Sequence, residues 1–493
     1  MNSRCVTRSL GLLTALAAIS TLTAPVALAA PAAPAAPAAS MTSKDDFNGD
    51  GYEDLVVATP NGRFEPGKDR PGYVSVLYGS KSGLKVSGKQ ILRQGAGGVP
   101  GTPQDDDRFG SSIASADLDR DGYTDLIIGV SGEGPTPESP RYGETLVMWG
   151  GEKGLTRGTR VTDQFKGAQW VLPGDFDGDG HLDLLAHAQS ALRVMHGPFD
   201  ADGKPARESV TAVETPEDYL YRGVHELKTG DVNGDGITDV VGVYRTKDDG
   251  EGWYSRPVFW KGTSDGLAAH RPVANRQHGF SAGSVAVGDV NGDGHDDIAL
   301  GLTRDHVYGP QVRRGGQVTY IKGSAKGPLP SRHRTFHLDS PRVPGTFKDN
   351  AGFGAELAIG DLNGDKYGEI VVGSDWMTVD GVAGAGSVIT LPGTASGPTS
   401  DKSREFTQNT QGVPGAAEYG DALGTDIKLI DGNGDGREEV AASALREDEK
   451  TGAVWVFPSG KSGLTGSGSF VYGPRALGLP ADKGLRFGSA YTP

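Results

Sequence analysis

Cysteine is nearly absent: the 493-residue chain has one, Cys5. A single thiol excludes a disulfide framework. Cys5 also lies upstream of the first apolar run, so it is not placed to carry a lipid at a cleavage point. Basic residues are outnumbered, with 48 Lys and Arg against 63 Asp and Glu and a formal net charge of −15. No basic face is concentrated, which argues against nucleic acid as a partner. Long apolar runs are missing too. The longest, Leu10 to Leu22, is too short to cross a bilayer, and nothing after it qualifies, so no transmembrane segment is expected. Helical periodicity is scarce, while glycine and proline are plentiful at 77 and 30 residues. That composition suits many short strands joined by turns.

The N-terminus has the order of a secretory signal. Arg4 and Arg8 precede the apolar run, and Ala27-Leu28-Ala29 is a small-residue cleavage site. Residues 1–29 are therefore expected to be removed and the protein secreted. Residues 30–43, PAAPAAPAASMTSK, read as a flexible or extended linker. The mature chain would contain no cysteine and must find its stability elsewhere.

What the chain has instead is one acidic loop, written seven times. The copies are DFNGDGYED at 46–54, DLDRDGYTD at 117–125, DFDGDGHLD at 175–183, DVNGDGITD at 231–239, DVNGDGHDD at 289–297, DLNGDKYGE at 361–369 and DGNGDGREE at 431–439. Oxygen-bearing side chains stand at positions 1, 3, 5 and 9, and position 6 is usually glycine. The candidate ligands are Asp46, Asn48, Asp50 and Asp54; Asp117, Asp119, Asp121 and Asp125; Asp175, Asp177, Asp179 and Asp183. They continue with Asp231, Asn233, Asp235 and Asp239; Asp289, Asn291, Asp293 and Asp297; Asp361, Asn363, Asp365 and Glu369; Asp431, Asn433, Asp435 and Glu439. Several hard oxygens, a backbone carbonyl near position 7 and a glycine at the sharp turn are how a short loop wraps Ca²⁺. Oxygen-only donors disfavour Zn²⁺ and Cu²⁺. One such loop could be an Asx-rich turn, but seven in one register point to up to seven Ca²⁺ sites. The loops hold 23 carboxylates. Without Arg4 and Arg8 the net charge is −17, and seven Ca²⁺ would bring it to about −3. The acidity is then metal-site charge.

The loops are not equal. Loops 117–125 and 175–183 carry four carboxylates each and are expected to bind tightest. Lys366 stands where the turn wants glycine, and Gly432 stands where the other loops have an apolar anchor. Position 12 of each loop is apolar or small, so none is an EF-hand, which needs a Glu there and a helix after it. Each loop leads instead into a short apolar run (LVVAT, LIIGV, LLAHA, VVGVY, IALGL, IVVGS or VAASA), read as a buried strand. Loops begin at 46, 117, 175, 231, 289, 361 and 431, a spacing of 56 to 72 residues, which implies one supersecondary unit per repeat. Each unit reads strand, acidic loop, strand, variable loop, strand, a turn such as GSKSGL, and a fourth strand. Third strands are expected at Tyr73–Tyr78, Thr145–Trp149, Leu192–His196, Pro257–Trp260, Gln317–Ile321, Ser387–Leu391 and Ala453–Phe457. Four strands per unit and seven units make an all-β, seven-bladed β-propeller over 44–493. The first loop has no strand ahead of it. Arg486-Phe487-Gly488-Ser489-Ala490-Tyr491 supplies the missing piece, so residues 485–493 are expected to complete the first blade.

The combination of FG, DxNxDGxxD, an apolar strand and G-A-P-like residues resembles FG-GAP repeats of the VCBS and integrin α-subunit type, across essentially the whole mature chain. FG-like pairs stand at Phe109-Gly110, Phe353-Gly354, Phe487-Gly488 and, altered, Tyr419-Gly420. Residues 165–167, 222–223 and 280–283 depart from the pattern. The resemblance implies Ca²⁺ loops between the first two strands of each blade and a binding or adhesion scaffold. The number of metal loops makes secreted bacterial repeat proteins the nearer type.

Alternation of strands puts the acidic loops and the third-to-fourth turns on one face. The opposite face takes the second-to-third loops and the blade connections. There the long connections GGVPGTPQDDDRFG, SPRVPGTFKDNAGFG, QGVPGAAEYGDALG and LGLPADKGLRFG form one arc. The aromatics Phe64, Tyr142, Trp253, Tyr254, Tyr308 and Trp376 offer either a protein or glycan interface or packing of each loop on its neighbour. Gly279–Gly283 spells G-x-S-x-G, but a nucleophile elbow needs strand, turn and helix, and here a strand comes next, so Ser281 is not expected to be catalytic. The reading is a secreted, calcium-binding, non-catalytic scaffold, expected to be monomeric, for a protein or glycan ligand. The alternative is an extracellular hydrolase or lyase acting on polysaccharides or esters.

Overall fold

The first strand of blade 2, Phe109–Ala116, runs into the acidic loop and returns as Asp125–Val130; Glu144–Trp149 and Arg157–Val161 complete an antiparallel four-stranded sheet in sequence order. The pattern repeats in blade 3 from Val171–Gly174 to Pro205–Ala212 and in blade 4 from Val224–Gly230 to Arg271–Pro272. Blade 5 runs from Ser284–Gly288 to Leu329–Phe336, blade 6 from Phe353–Gly360 to Arg404–Phe406, and blade 7 from Leu423–Ile430 to Phe470–Tyr472. In this computed structural model the described residues are 45–492, without 68, 135–142, 162–170, 189–190, 214–223, 249–251, 274–282, 304–314 and 347. Among them the strands form seven four-stranded sheets, a seven-bladed β-propeller. The expected signal and linker, Tyr142 and Tyr308, and Phe165, Arg222 and Ser281 of the departing segments lie outside the described residues, as do the side chains of Trp253 and Tyr254.

Second strands such as Asp125–Val130 and Glu369–Ser374 are buried at every position. They lie inside their own sheet and between neighbouring blades, so no polar side of a strand is needed and the apolar runs are continuous. Hydrophobic clusters accordingly span pairs of adjacent blades, as where Phe353, Leu357 and Ile370 of blade 6 pack with Val318 and Tyr320 of blade 5.

Blade 1 is closed by the chain end. Ala490 and Tyr491 pair antiparallel with Ala58 and Val57 of Leu55–Thr59. Phe487 is wholly buried, its ring 5.4 Å from that of Tyr472 in an edge-on contact. Its N–H donates to Thr451 O at 2.8 Å, fastening it to blade 7. The ladder is shorter than the expected 486–491 segment because residues 486–488 serve the preceding blade.

That division of labour is general for the FG pairs. Phe109 N–H donates to Pro71 O at 2.7 Å and Phe353 N–H to Gly315 O at 3.0 Å, each reaching back to the previous blade. Gly110 and Gly354 come next with φ of 86° and 91°, at a slip in strand register. A Cβ on Gly110 would lie 2.9 Å from Val74 Cγ2, so the glycine permits the close approach. In blade 7 this place is not taken by Tyr419-Gly420. Leu423 N–H donates to Ala385 O at 3.0 Å and Gly424 has φ of 86°, so the altered pair is Leu423-Gly424, four residues later. Tyr419 is 78% exposed and anchors no strand.

The hub is charged. Lys228 of blade 4 lies 4.0 Å from Glu356 of blade 6 and 3.8 Å from Glu226. Burial opposes the Lys228 charge, yet Glu226, Glu356 and Asp426 of blade 7 outweigh it and raise its pKa. A second knot is made by Asp45. Its carboxylate accepts from Thr492 Oγ1 at 2.7 Å and from the Ser115 hydroxyl, and lies 2.9 Å from Lys428 Nζ. Three blades and the chain end thus meet on one buried carboxylate.

Candidate metal centres

Each acidic loop is folded by its own first carboxylate. Asp46 Oδ1 accepts from Gly49 N–H at 2.7 Å and from Asp50 N–H at 3.2 Å, while Oδ2 accepts from Gly51 N–H at 2.9 Å. Asp175, Asp231, Asp289 and Asp361 repeat this set. The carboxylate at position 5 accepts the N–H of position 7 in all seven loops. These are Asx turns, which is why Asp and Asn stand there. Lys366 takes the left-handed conformation with φ of 73°, where the other loops have glycine.

Position 9 behaves differently. Asp54, Asp125, Asp183, Asp239, Asp297, Glu369 and Glu439 are all buried, none more than 6% exposed. One oxygen accepts the N–H of position 2, as Asp54 Oδ2 does from Phe47 at 3.0 Å. In blades 1 to 5 the other accepts from a glycine in or just after the third strand, at 2.8–2.9 Å. The carboxylate therefore braces the loop to the third-to-fourth turn, and both lie on one face. Burial pushes Asp54 and Asp125 up to about 8, Asp239, Glu369 and Glu439 to about 7, and Asp297 to about 6, against lowering by the backbone N–H groups. Burial raises Asp183 too. A buried anion with a raised pKa is one that a nearby cation would stabilise.

The donor set fits a hard cation. Asp117, Asp119 and Asp125 bring one oxygen each within 4.8 Å of one another, as do Asp175, Asp177 and Asp179. Asp117 Oδ1 is buried without a hydrogen-bond partner. Where position 3 is Asn, its amide nitrogen donates to the position-9 carboxylate: Asn233 to Asp239 at 3.0 Å, Asn291 to Asp297 at 2.8 Å, Asn363 to Glu369 at 2.9 Å, and Asn433 to Glu439. The same amide carries an oxygen for a cation. Loop 46–54 differs, since Asn48 donates to Asp50 instead.

The loops also touch in a continuous belt. Beneath Tyr123 of loop 2 lies Gly49 of loop 1, where a Cβ would come within 2.6 Å of the ring. In the same way Ile237 covers Gly178, His295 covers Gly234, Tyr367 covers Gly292 and Tyr52 covers Gly434, the last across the closure. In six of the seven loops position 8 donates its N–H to the position-1 carbonyl of the preceding loop, as Thr124 to Asp46 at 3.0 Å and Glu438 to Asp361 at 3.1 Å, while loop 175–183 is joined to its predecessor by Arg120, which donates to Gly180 O. The missing anchor at Gly432 is made good by Leu84 from blade 1, whose Cγ would lie 2.8 Å from an added Cβ.

Sequence reasoning passed over the residue just before the glycine that the ninth carboxylate holds. In blades 3, 4 and 5 it is His196, Lys261 and Lys322, and each turns onto its own loop. His196, wholly buried, sets Nδ1 3.0 Å from both Asp177 and Asp183, with Nε2 2.8 Å from Ser209 Oγ. Arg207 also reaches Asp177. Lining up the third strands as HG, KG and KG against YG, WG and PG would have exposed the pattern. Asp45 was missed as well, since it adjoins the first loop without being part of its motif.

On the opposite face, Trp376 and Tyr419 meet edge-on with centroids 6.4 Å apart, and the Arg446 guanidinium lies 4.9 Å over the Trp376 ring. Phe64 is half-buried, packed at 6.2 Å on Tyr73 and beneath Arg93. Packing therefore accounts for Phe64, while Trp376 belongs to a small aromatic and arginine platform.

Known proteins share the same motif. Residues 42–77 and 109–145 match the model described as FG-GAP repeat, and residues 231–300 match that of an FG-GAP-like repeat. Bos taurus phosphatidylinositol-glycan-specific phospholipase D is 27% identical over 375 residues, 70% of this chain and 44% of that protein. Drosophila melanogaster integrin alpha-PS2 is 28% identical over 286 residues, 54% of this chain and 18% of that protein. A solved structure of an Agrocybe aegerita lectin recognising non-reducing terminal N-acetylglucosamine has a TM-score of 0.39 at 14% identity, covering 73% of this chain and 81% of that one. The repeat models and the integrin relative support an integrin-like propeller built from FG-GAP repeats. The chain spans less than half the length of either relative. Among the described residues no helix is long and apolar enough to cross a membrane.

Proposed function

We propose that the protein is a secreted propeller that takes up Ca²⁺ at its acidic loops and binds a protein or glycan on the opposite face, without chemistry of its own. The observation that carries this reading is the belt: seven loops of one geometry on one face, each with a buried ninth carboxylate and hard-oxygen donors. Calcium would neutralise those carboxylates and brace each loop against its turn. The secretion reading rests on residues 1–29, with 30–43 as spacer. Trp376, Tyr419 and Arg446 are the residue types that dominate interfaces, and Tyr419 is exposed on that platform.

A protein and glycan array probed with the mature chain, with and without chelator, tests the proposal. Binding that needs calcium and weakens at least tenfold in Trp376→Ala supports it. No ligand on either array and an unchanged melting midpoint with chelator would refute it. The hydrolase or lyase reading draws on Lys228 among Glu226, Glu356 and Asp426. That lysine already serves three carboxylates across the hub, which favours a structural role.

A further inference from the structure

We infer that blades 3, 4 and 5 carry tethered cations that compete with calcium at their own loops, leaving loops 1, 2 and 6 to fill first. The inference rests on the calcium reading of the loops. It starts from one position near the end of the third strand, the residue that in blades 1 to 5 precedes the glycine held by the ninth carboxylate. In blades 1, 2, 6 and 7 that residue is Tyr78, Trp149, Pro392 or Pro458. Tyr78 and Trp149 turn away from the loop, donating to Gln90 Oε1 and to Thr159 Oγ1 in the fourth strand.

In blade 4, Lys261 sets its ammonium 2.8 Å from Asp235, the position-5 carboxylate. In blade 5, Lys322 lies 2.5 Å from the equivalent Asp293 and 3.4 Å from Asn291 Oδ1 at position 3. Blade 3 uses Arg207 from the fourth strand, whose guanidinium lies on Asp177 at position 3. An ammonium on a ligand oxygen has to leave before the metal takes that oxygen, and it repels a divalent ion even when displaced. Near 4 Å in a watery environment the repulsion of a divalent ion amounts to roughly a thirtyfold loss of affinity. Loop 7 is a separate case, because Arg437 on Asp435 comes from within the loop itself. Counting carboxylates alone ranks loop 3 with loop 2. The bound cations place loop 3 below it.

Lys261 and Lys322 are exposed enough to replace without disturbing the core. The experiment is calcium titration of the chelated mature chain by calorimetry, with native mass spectrometry to count bound ions. Lys261→Met, Lys322→Met and the double variant are compared with Lys153→Met, an exposed control on the same face. Each loop variant should move one equivalent from the weak to the tight class, roughly thirtyfold tighter, while the control leaves both classes unchanged. The loop variants should also melt lower without calcium and gain more from its addition. A lysine of purely structural importance would lower both midpoints alike. If calcium binds but neither lysine variant alters the classes, this inference fails and the calcium reading stands. If no calcium binds to any form, both fail.

Discussion

Removing the last strand should open the ring. A chain ending at Lys483 loses Leu485 and Phe487, both wholly buried, and Tyr491, 8% exposed. Burying side chains of this size is worth about 1.5–3 kcal/mol each, or roughly 5–9 kcal/mol together. The cut also removes the ladder to Ala58 and Val57, the Phe487 N–H to Thr451 O bond and the Thr492 bond to Asp45. Unfolding about 450 residues releases on the order of 0.9 kcal/mol/K of entropy at about 2.1 cal/mol/K per residue, so the melting midpoint should fall by about 5–10 °C. The exposed edge of Leu55–Thr59 should also promote association. Calorimetry and size-exclusion chromatography on this truncation, beside a deletion of 30–43, check the argument. The linker deletion should leave the midpoint where it was. A truncated chain that stays monomeric and melts within a degree or two of the full one would refute the closure, whatever the blade count.

Three further outcomes are expected. Asp45→Ala should cost on the order of 3 kcal/mol, measured by denaturant unfolding, because Lys428, Thr492 and Ser115 lose a shared buried carboxylate; a loss under 1 kcal/mol would dissolve the knot. Gly110→Ala should cost about 1–2 kcal/mol from left-handed backbone alone, and more from the approach to Val74, whereas the same change at Gly122, with nothing within 4 Å, carries only the backbone cost; equal losses at the two sites would contradict the clamp. Finally, the ninth carboxylates have folded pKa values raised to between about 6 and 8, above their unfolded range near 4. Their stabilising contribution is therefore present below about pH 4 and lost as pH rises through 6 to 8. Metal-free protein should melt higher at pH 5 than at pH 8, and calcium should reverse that order; a chelated midpoint that climbs with pH would overturn the assignment.

The architecture could be read from the chain because a propeller repeats its instructions. Seven loops in one register set the strand boundaries, and the third strands at Ser387–Leu391 and Ala453–Phe457 fall where the apolar runs place them. The closing strand was legible as a half-motif left over at Phe487-Gly488. The hidden features depend on contacts between distant residues. Leu423-Gly424 was obscured by Tyr419-Gly420, since the strict FG spelling matters less than an apolar residue followed by a left-handed glycine. Asp45 is an ordinary acid until Ser115, Lys428 and Thr492 converge on it. The hub around Lys228 joins blades that are not neighbours in sequence. The loop cations escaped notice because each lies some thirty residues from the carboxylate it meets.

The ring is uneven in a way that divides the work of holding it. FG clamps of the kind at Phe109, Phe353, Leu423 and Phe487 secure the interfaces between blades 1 and 2, 5 and 6, 6 and 7, and 7 and 1. Tethered cations sit in blades 3, 4 and 5. Three loops of the clamped arc, 46–54, 117–125 and 361–369, have no basic side chain on a ligand oxygen among the described ion pairs, yet their blades are tied by backbone hydrogen bonds that need no metal. The loops of blades 3 to 5 carry their own countercharge. Chelation should therefore loosen the loop belt everywhere without parting the ring at any one interface. Hydrogen exchange resolved by segment can decide this. On chelation, amides at positions 4 to 6 of loops 46–54, 117–125 and 361–369 should lose the most protection, and those of 231–239 and 289–297 the least. Second-strand amides such as those of Asp125–Val130 should change little. If the second strands of blades 3 to 5 open first instead, the tethered cations are not replacing the metal, and the clamps alone keep the propeller closed.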